Sequence, residues 1–308
     1  MKHAWLLLLF LLPGGSVMLT AAALFRRLGR RREAWRRRLS TLYLRSLVAC
    51  CGGRPERCGF PLIDRPGARM ALVEAMAGLQ SVTCGCEAAV LRSISRRYGL
   101  EELLLRKLRR PFADRRRLLA LLALLPLHRA TAGRLDRYAV SRQREVRFYA
   151  LMARLAADPD GALTRLRDFA DPLTPFECSE VMTLVRRGVL PLSYEKLLRA
   201  PETNLRRLGV RIVRHFGIER AVPQLLLLAS DPLLRREVLE TLCDLHMPFR
   251  GAAVRAGRAL TDEERRSLLR RAAYEGYALS GIEQLLRGDE RRDFERMAAT
   301  YKSSVLWS

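Results

Sequence analysis

The residues with chemical potential in this chain are few and scattered. Seven cysteines are present: Cys50, Cys51, Cys58, Cys84, Cys86, Cys178 and Cys243. Five of them crowd into residues 50–86. Their spacing is Cys-Cys-x6-Cys and Cys-x-Cys, without paired Cys-x2-Cys knuckles or a nearby histidine, so a zinc site is disfavoured. Free thiols, or palmitoylation at Cys50 and Cys51, fit better. An odd cysteine count in a large chain does not describe a disulfide-dense secreted scaffold, and reduced thiols in a cytosolic compartment are expected.

The four histidines are His3, His128, His215 and His246. His215 and His246 lie about one repeat apart, and Cys243-x2-His246 has the form of a half-site, but solvated helix-end histidines are the simpler expectation. Glu101-Glu102 and Glu263-Glu264 pair carboxylates in the first turns of helices, where the helix dipole favours them. No Gly-x-Gly-x-x-Gly, Walker A, His-Glu-x-x-His or Gly-x-Ser-x-Gly sequence occurs. No cofactor or metal is implied, and an enzyme is not expected.

Charge is the stronger signal. Of 308 residues, 56 are basic and 32 acidic, a formal net charge of +24. All but four of the basic residues are arginine, which is also what a GC-rich genome would produce. The excess is uneven: +10 over residues 1–66, +10 over 86–147 and only +4 over 148–308. Such a surface favours anionic partners: lipid headgroups, nucleic acid or an acidic protein.

Ala4 to Phe25 is a continuous uncharged run with Pro13-Gly14-Gly15 at its middle. As a helix it spans about 33 Å, close to the hydrocarbon thickness of about 30 Å. A cleaved signal peptide is the rival, with Leu6–Leu12 as its apolar region and Thr20–Ala23 as its cleavage site. Arg26, Arg27, Arg30, Arg31, Arg32, Arg36, Arg37 and Arg38 follow at once and resist translocation. They favour a single-pass inner-membrane anchor with the N-terminus outside and the body cytoplasmic. Those arginines are expected against anionic lipid. Trp35, Leu39, Leu42 and Tyr43 interleave with them, as in a juxtamembrane amphipathic helix, or as a plain continuation of the anchor.

Three divisions follow: anchor and basic helix over 1–51, a linker with one short helix over 52–85, and a helical body over 86–308. Gly52-Gly53, Pro55, Gly59, Pro61 and Pro66-Gly67 mark the linker. In the body, first helices of two-helix units are expected near residues 86, 113, 144, 175, 204, 234 and 264. That near-constant period of about 30 residues is the mark of an α-solenoid. Leu205, Leu208, Gly209, Ile212 and Phe216 form one apolar stripe; Val222, Leu225, Leu226 and Ala229 form the next; Leu234, Val238, Leu242 and Leu245 form a third. Ala150, Ser179 and Gly209 would let adjacent helices approach. Asp231-Pro232 reads as an N-cap followed by a first-turn proline.

The segments 202–246 and 144–172, with the Asp-Pro-x-x-Arg turn at 231–235, resemble the HEAT-repeat superfamily. The resemblance covers roughly residues 86–300. It implies an all-α chain: an α-solenoid of about seven HEAT-like helix pairs preceded by one transmembrane helix. With the anchor, the layout is similar to single-span bacterial HEAT proteins, some of which are thought to accompany envelope polysaccharide glycosyltransferases. The function expected is a scaffold binding a protein partner, with nucleic-acid binding through the basic N-terminal half as the alternative. HEAT-like enzymes that excise damaged bases need aromatic residues and an acid on the concave face; Trp5, Trp35 and Trp307 all lie outside the regular array.

Arg147, Arg206, Arg235 and Arg265 fall at matched repeat positions, with Glu177 in the skipped unit. They are expected either to bond across repeats or to form an anion-binding ridge. Arg109, Arg110, Arg115, Arg116 and Arg117 are the better candidates for partner binding.

Overall fold

A computed structural model describes residues 2–53, 59–65, 67–82, 88–190 and 192–305. Side chains of residues 2–23, 25, 26, 28, 88 and 303–305 fall outside the description, as do Cys58, Cys84, Cys86 and Trp307. The described residues are all-helical, with no strand.

Helix α1 runs Lys2–Cys51 and α2 runs Ala68–Val82. Seven helix pairs follow: α3 Ala88–Arg97 with α4 Leu100–Leu108, α5 Arg115–Ala123 with α6 Thr131–Ala139, and α7 Arg144–Ala157 with α8 Ala162–Arg167. The series continues as α9 Pro175–Arg186 with α10 Tyr194–Leu198, α11 Thr203–Phe216 with α12 Val222–Leu228, α13 Arg235–Asp244 with α14 Ala252–Arg258, and α15 Asp262–Tyr274 with α16 Leu279–Ile282. A last helix, α17, spans Glu290–Val305. First helices thus begin at 88, 115, 144, 175, 203, 235 and 262, close to the expected starts. The chain divides into two compact units, residues 1–157 and 158–308.

Local chemistry explains the boundaries. Thr174 and Glu177 form a capping box at α9 with Pro175 at its first position, and Thr261 and Glu264 repeat it at α15. Each satisfies backbone N–H groups that an α-helix leaves without partners. Gly217, at φ 63°, closes α11 in the left-handed region where a side chain is disfavoured. Asp231 departs from expectation. The N-cap position of α13 is Leu234, and Asp231 instead holds the preceding tight turn, accepting from the Leu233 N–H at 2.9 Å.

In the first unit, α2 buries Met70, Leu72, Val73, Met76 and Leu79 and packs on α1. The α1 side of that contact is Leu39, Tyr43 and Leu47, all buried. Tyr43 donates to the Pro61 carbonyl at 2.6 Å and meets the Phe60 ring edge-on at 5.5 Å. The basic stretch after residue 25 is therefore a continuation of α1, with its apolar residues turned to the protein. Leu42 and Val48 are exposed exceptions. Buried Phe60 pins the segment expected to be a linker.

Two expectations need separate statements. Among the described residues no helix is long and apolar enough to cross a membrane, and the side chains of Ala4 to Ala23 lie outside those residues. Cys50 is disulfide-bonded, which corrects the expectation of reduced thiols at this position.

In the second unit α11, α13, α15 and α17 pack in succession, with α10 on α11 and both α12 and α14 on α13. The second and third stripes meet in one core that includes Leu225, Leu234, Val238, Leu242, Phe249, Leu269 and Phe294; α11 enters it through Val210 and Val213, while Leu205, Leu208 and Ile212 of the first stripe are buried outside it. Each fully buried leucine contributes roughly 1.5–3 kcal/mol. Phe216, assigned to the first stripe, is exposed at its end. Of the small residues, Ala150 is buried and Gly209 lies against α10, but Ser179 is exposed and its neighbour Cys178 occupies the core.

Candidate functional site

The arginines sort into two populations. In the second unit a row of them along α11, α13 and α15 is answered by acids. Arg207 of α11 meets Glu237 of α13 at 3.1 Å, and Arg211 reaches the same carboxylate at 3.6 Å. Arg214 contacts Glu240 at 3.4 Å and Asp244 at 2.5 Å. Arg271 of α15 grips Asp244 from the other side, its Nη2 at 2.8 Å. The result is a ladder from α11 through α13 to α15.

The matched-position arginines serve the same end. Arg147 donates to the Ser141 and Arg142 carbonyls at 2.8 and 3.1 Å. Arg206 pairs with Asp231 at 3.1 Å, and Arg235 donates to the Ala259 carbonyl at 3.3 Å. Arg265, only 3% exposed, reaches Glu290 at 2.9 Å and the Leu285 carbonyl at 3.4 Å. Glu177 is spent on its own capping box. These are bonds within the fold, chiefly between successive repeats, not a ridge open to a ligand.

The candidates at the α4–α5 turn differ. Arg116 is tied to Glu145 at 3.0 Å and Arg117 to Glu74 at 2.8 Å. Arg36 reaches that same Glu74 at 3.2 Å, so one carboxylate of α2 joins α1 and α5. Arg109, Arg110 and Arg115 are exposed, and none faces a carboxylate among the described residues.

Residues of this turn line two clefts. One, about 540 Å³, is lined by Leu108, Arg109, Arg115, Arg137, Tyr138, Ser141, Arg142 and Gln143. The other, about 280 Å³, includes Arg36, Lys107, Arg110, Phe112 and Arg117. Burial, then the charges of Arg110 and Arg36, push the Lys107 ammonium below its usual range. A cleft of about 390 Å³ in the second unit contains Arg211, and Arg214 beside its partner Asp244.

Phe112, on the lining of the smaller cleft, is fully exposed and at φ 58°. A bulky residue in the left-handed region is a backbone outlier. Sequence reasoning passed over it. It also missed Arg137 and Arg142, which lie about one repeat beyond Arg109 and are brought beside it by stacking. The same stacking is seen in the bond from the Tyr138 hydroxyl to the Leu108 carbonyl, 30 residues earlier.

Of the eight arginines after the apolar run, the Arg26 side chain lies outside the described residues. Arg27, Arg30, Arg31, Arg32, Arg37 and Arg38 are exposed. Arg36 and Arg37 both contact Glu33, the latter at 3.4 Å. The hydrogen bond from Arg36 holds the Glu33 carboxyl below its usual range.

The groups with chemical potential do not assemble. Among the described residues no cluster of three His, Cys, Asp or Glu side chains could hold a metal. Cys243 is buried, its thiol pushed up to about 12 by desolvation. His246 turns outward, stacked on Tyr277 with ring centres 5.9 Å apart. His215 is exposed at the end of α11. Glu101 accepts from the His128 N–H at 3.2 Å and from Thr131, tying α4 to the start of α6, while Glu102 pairs with Arg134 at 3.0 Å. Comparison with family models, curated proteins and solved structures yields no match to this chain.

Proposed function

We propose that this chain is a membrane-tethered, HEAT-like α-solenoid that acts as a scaffold, docking an acidic protein partner on the tip between α4 and α5. One observation carries the reading. Phe112 is wholly exposed and held at φ 58°, beside Arg110 and Lys107. Backbone strain of this kind costs about 1–2 kcal/mol and gives the fold no buried contact in return. Strain without internal benefit points to an external contact. An aromatic anchor ringed by arginine is the composition of an interface hot spot.

The tether rests on the uncharged run Ala4 to Phe25 followed by arginines, and the same arginines favour a cytoplasmic body at the inner membrane. One observation favours a second reading of location. Cys50 is disulfide-bonded, and such bonds persist in oxidising compartments. Alkaline phosphatase and fluorescent-protein fusions at Ser308 separate the two: phosphatase activity would place the body outside the cytoplasm.

The docking test uses the full chain in detergent, with a photo-crosslinking phenylalanine analogue at position 112. A discrete protein adduct, lost in Arg110→Glu and unaffected by Arg250→Glu, supports the reading. Recovery of nucleic acid instead, with a steep salt dependence, would replace it by the nucleic-acid alternative. No adduct at position 112 overturns docking at this tip.

A further inference from the structure

The larger cleft of the first unit is distinct from the Phe112 tip. Its lining holds four arginines, Arg109, Arg115, Arg137 and Arg142, and no acidic residue. They come from three places in the fold: the end of α4, the first position of α5, and the end of α6 with the turn beyond it. Nearby acids are committed elsewhere. Asp114 accepts from the Arg117 N–H at 3.0 Å, Asp136 pairs with Arg154 at 2.9 Å, and Glu145 pairs with Arg116 at 3.0 Å. The carbonyls of Ser141 and Arg142 are taken by Arg147.

Arg137 is positioned by Tyr138. Its guanidinium lies 4.8 Å from the Tyr138 ring centre and donates to the hydroxyl at 3.0 Å. That hydroxyl in turn donates to the Leu108 carbonyl at 3.2 Å, fixing the floor. Ser141 accepts from the Gln143 N–H at 3.3 Å, which leaves its own hydroxyl proton to donate. Cationic forks, one hydroxyl and one amide therefore converge on a space of about 540 Å³, the size of a small-molecule site.

We propose that this cleft binds a phosphate-bearing ligand, a phosphomonoester or diphosphate, held by Arg109, Arg115, Arg137 and Arg142. Four guanidiniums without counter-charge call for a multivalent anion; a single carboxylate would leave most of them unanswered. Guanidinium forks match phosphate oxygens in bidentate geometry. The same group could arrive on a lipid headgroup or on a soluble molecule. The inference goes beyond the docking role and does not depend on it.

The test titrates the full-length chain, in nonionic detergent at 150 mM KCl, with inorganic pyrophosphate by calorimetry. Saturable one-site binding is expected, weakened at least 10-fold in Arg115→Ala/Arg142→Ala. The charge-matched Arg250→Ala/Arg255→Ala, in the second unit, should bind as the parent does. Both double variants should keep the parental circular dichroism and melting midpoint, because all four side chains are exposed. Adding short-chain phosphatidic acid to the micelles identifies the source. Displacement of pyrophosphate, with phosphatidylglycerol inert, assigns a lipid phosphomonoester; no displacement assigns a soluble phosphate. Absence of saturable binding overturns the proposal, as does an equal loss in the two double variants, which would show only diffuse attraction.

Discussion

The hydroxyl of Tyr138 donates to the carbonyl of Leu108 at 3.2 Å, across 30 residues of sequence. This bond joins the ends of α4 and α6 and closes the floor of the arginine cleft. Tyr138 is buried, so a phenylalanine in its place would leave the Leu108 carbonyl without that donor and remove the acceptor of Arg137. Tyr138→Phe should lower unfolding free energy by about 1–3 kcal/mol. It should also weaken pyrophosphate binding, because Arg137 loses its guide. Urea unfolding and calorimetry on one variant read both effects.

At Gly209, α11 lies close against α10. A Cβ built there would lie 3.0 Å from the Leu197 Cβ and from the backbone nitrogen of Leu198. Backbone cannot yield as a flexible side chain can. Despite its better helix propensity, Gly209→Ala should therefore destabilise by about 1–3 kcal/mol. Thermal denaturation of the variant checks this; an unchanged or higher midpoint would show that α10 moves freely from α11.

Two buried thiols set an alkaline limit. Desolvation raises Cys178 from 9.0 to about 11 and Cys243 to about 12. A thiol with a raised folded value contributes stability that is complete below pH 9 and lost as pH climbs toward 11 and 12. Between those limits each thiol costs about 1.4 kcal/mol per pH unit. Burial also raises Tyr277, which steepens the fall above pH 10. Urea midpoints at pH 8 and 10.5 should diverge, and less so in Cys178→Ala/Cys243→Ala. A parallel fall in the variant would assign the alkaline loss to other groups.

The helix pairs were legible because each obeys a local rule. Apolar residues recur at helical spacing, as at Leu234, Val238, Leu242 and Leu245, all buried. What the sequence concealed depends on the third dimension. Ser179 and Cys178 are neighbours, and only helix rotation decides that the cysteine faces inward. Arg206 and Arg109 look alike in sequence, yet one meets Asp231 and the other meets no acid among the described residues. Arg137 and Arg142 belong to the cleft because stacking superposes positions about 30 apart, a consequence of the repeat that composition alone does not reveal. The bond at Cys50 depends on which thiols approach, which spacing alone could not decide.

Phe112 offers the sharpest separation of stability from function. Its side chain is fully exposed, so removing it costs the fold no burial. Its φ of 58° is one that glycine adopts freely. Phe112→Gly should thus raise the unfolding free energy by about 1 kcal/mol. That gain will be partly offset by the greater freedom of glycine in the unfolded chain. The same change should abolish partner capture while leaving pyrophosphate binding intact, because Phe112 does not line the arginine cleft. Ordinary residues lose stability when truncated to glycine; a residue kept for an external contact gains it. A less stable variant that retained its partner would show Phe112 to be structural and move the docking surface elsewhere on the chain.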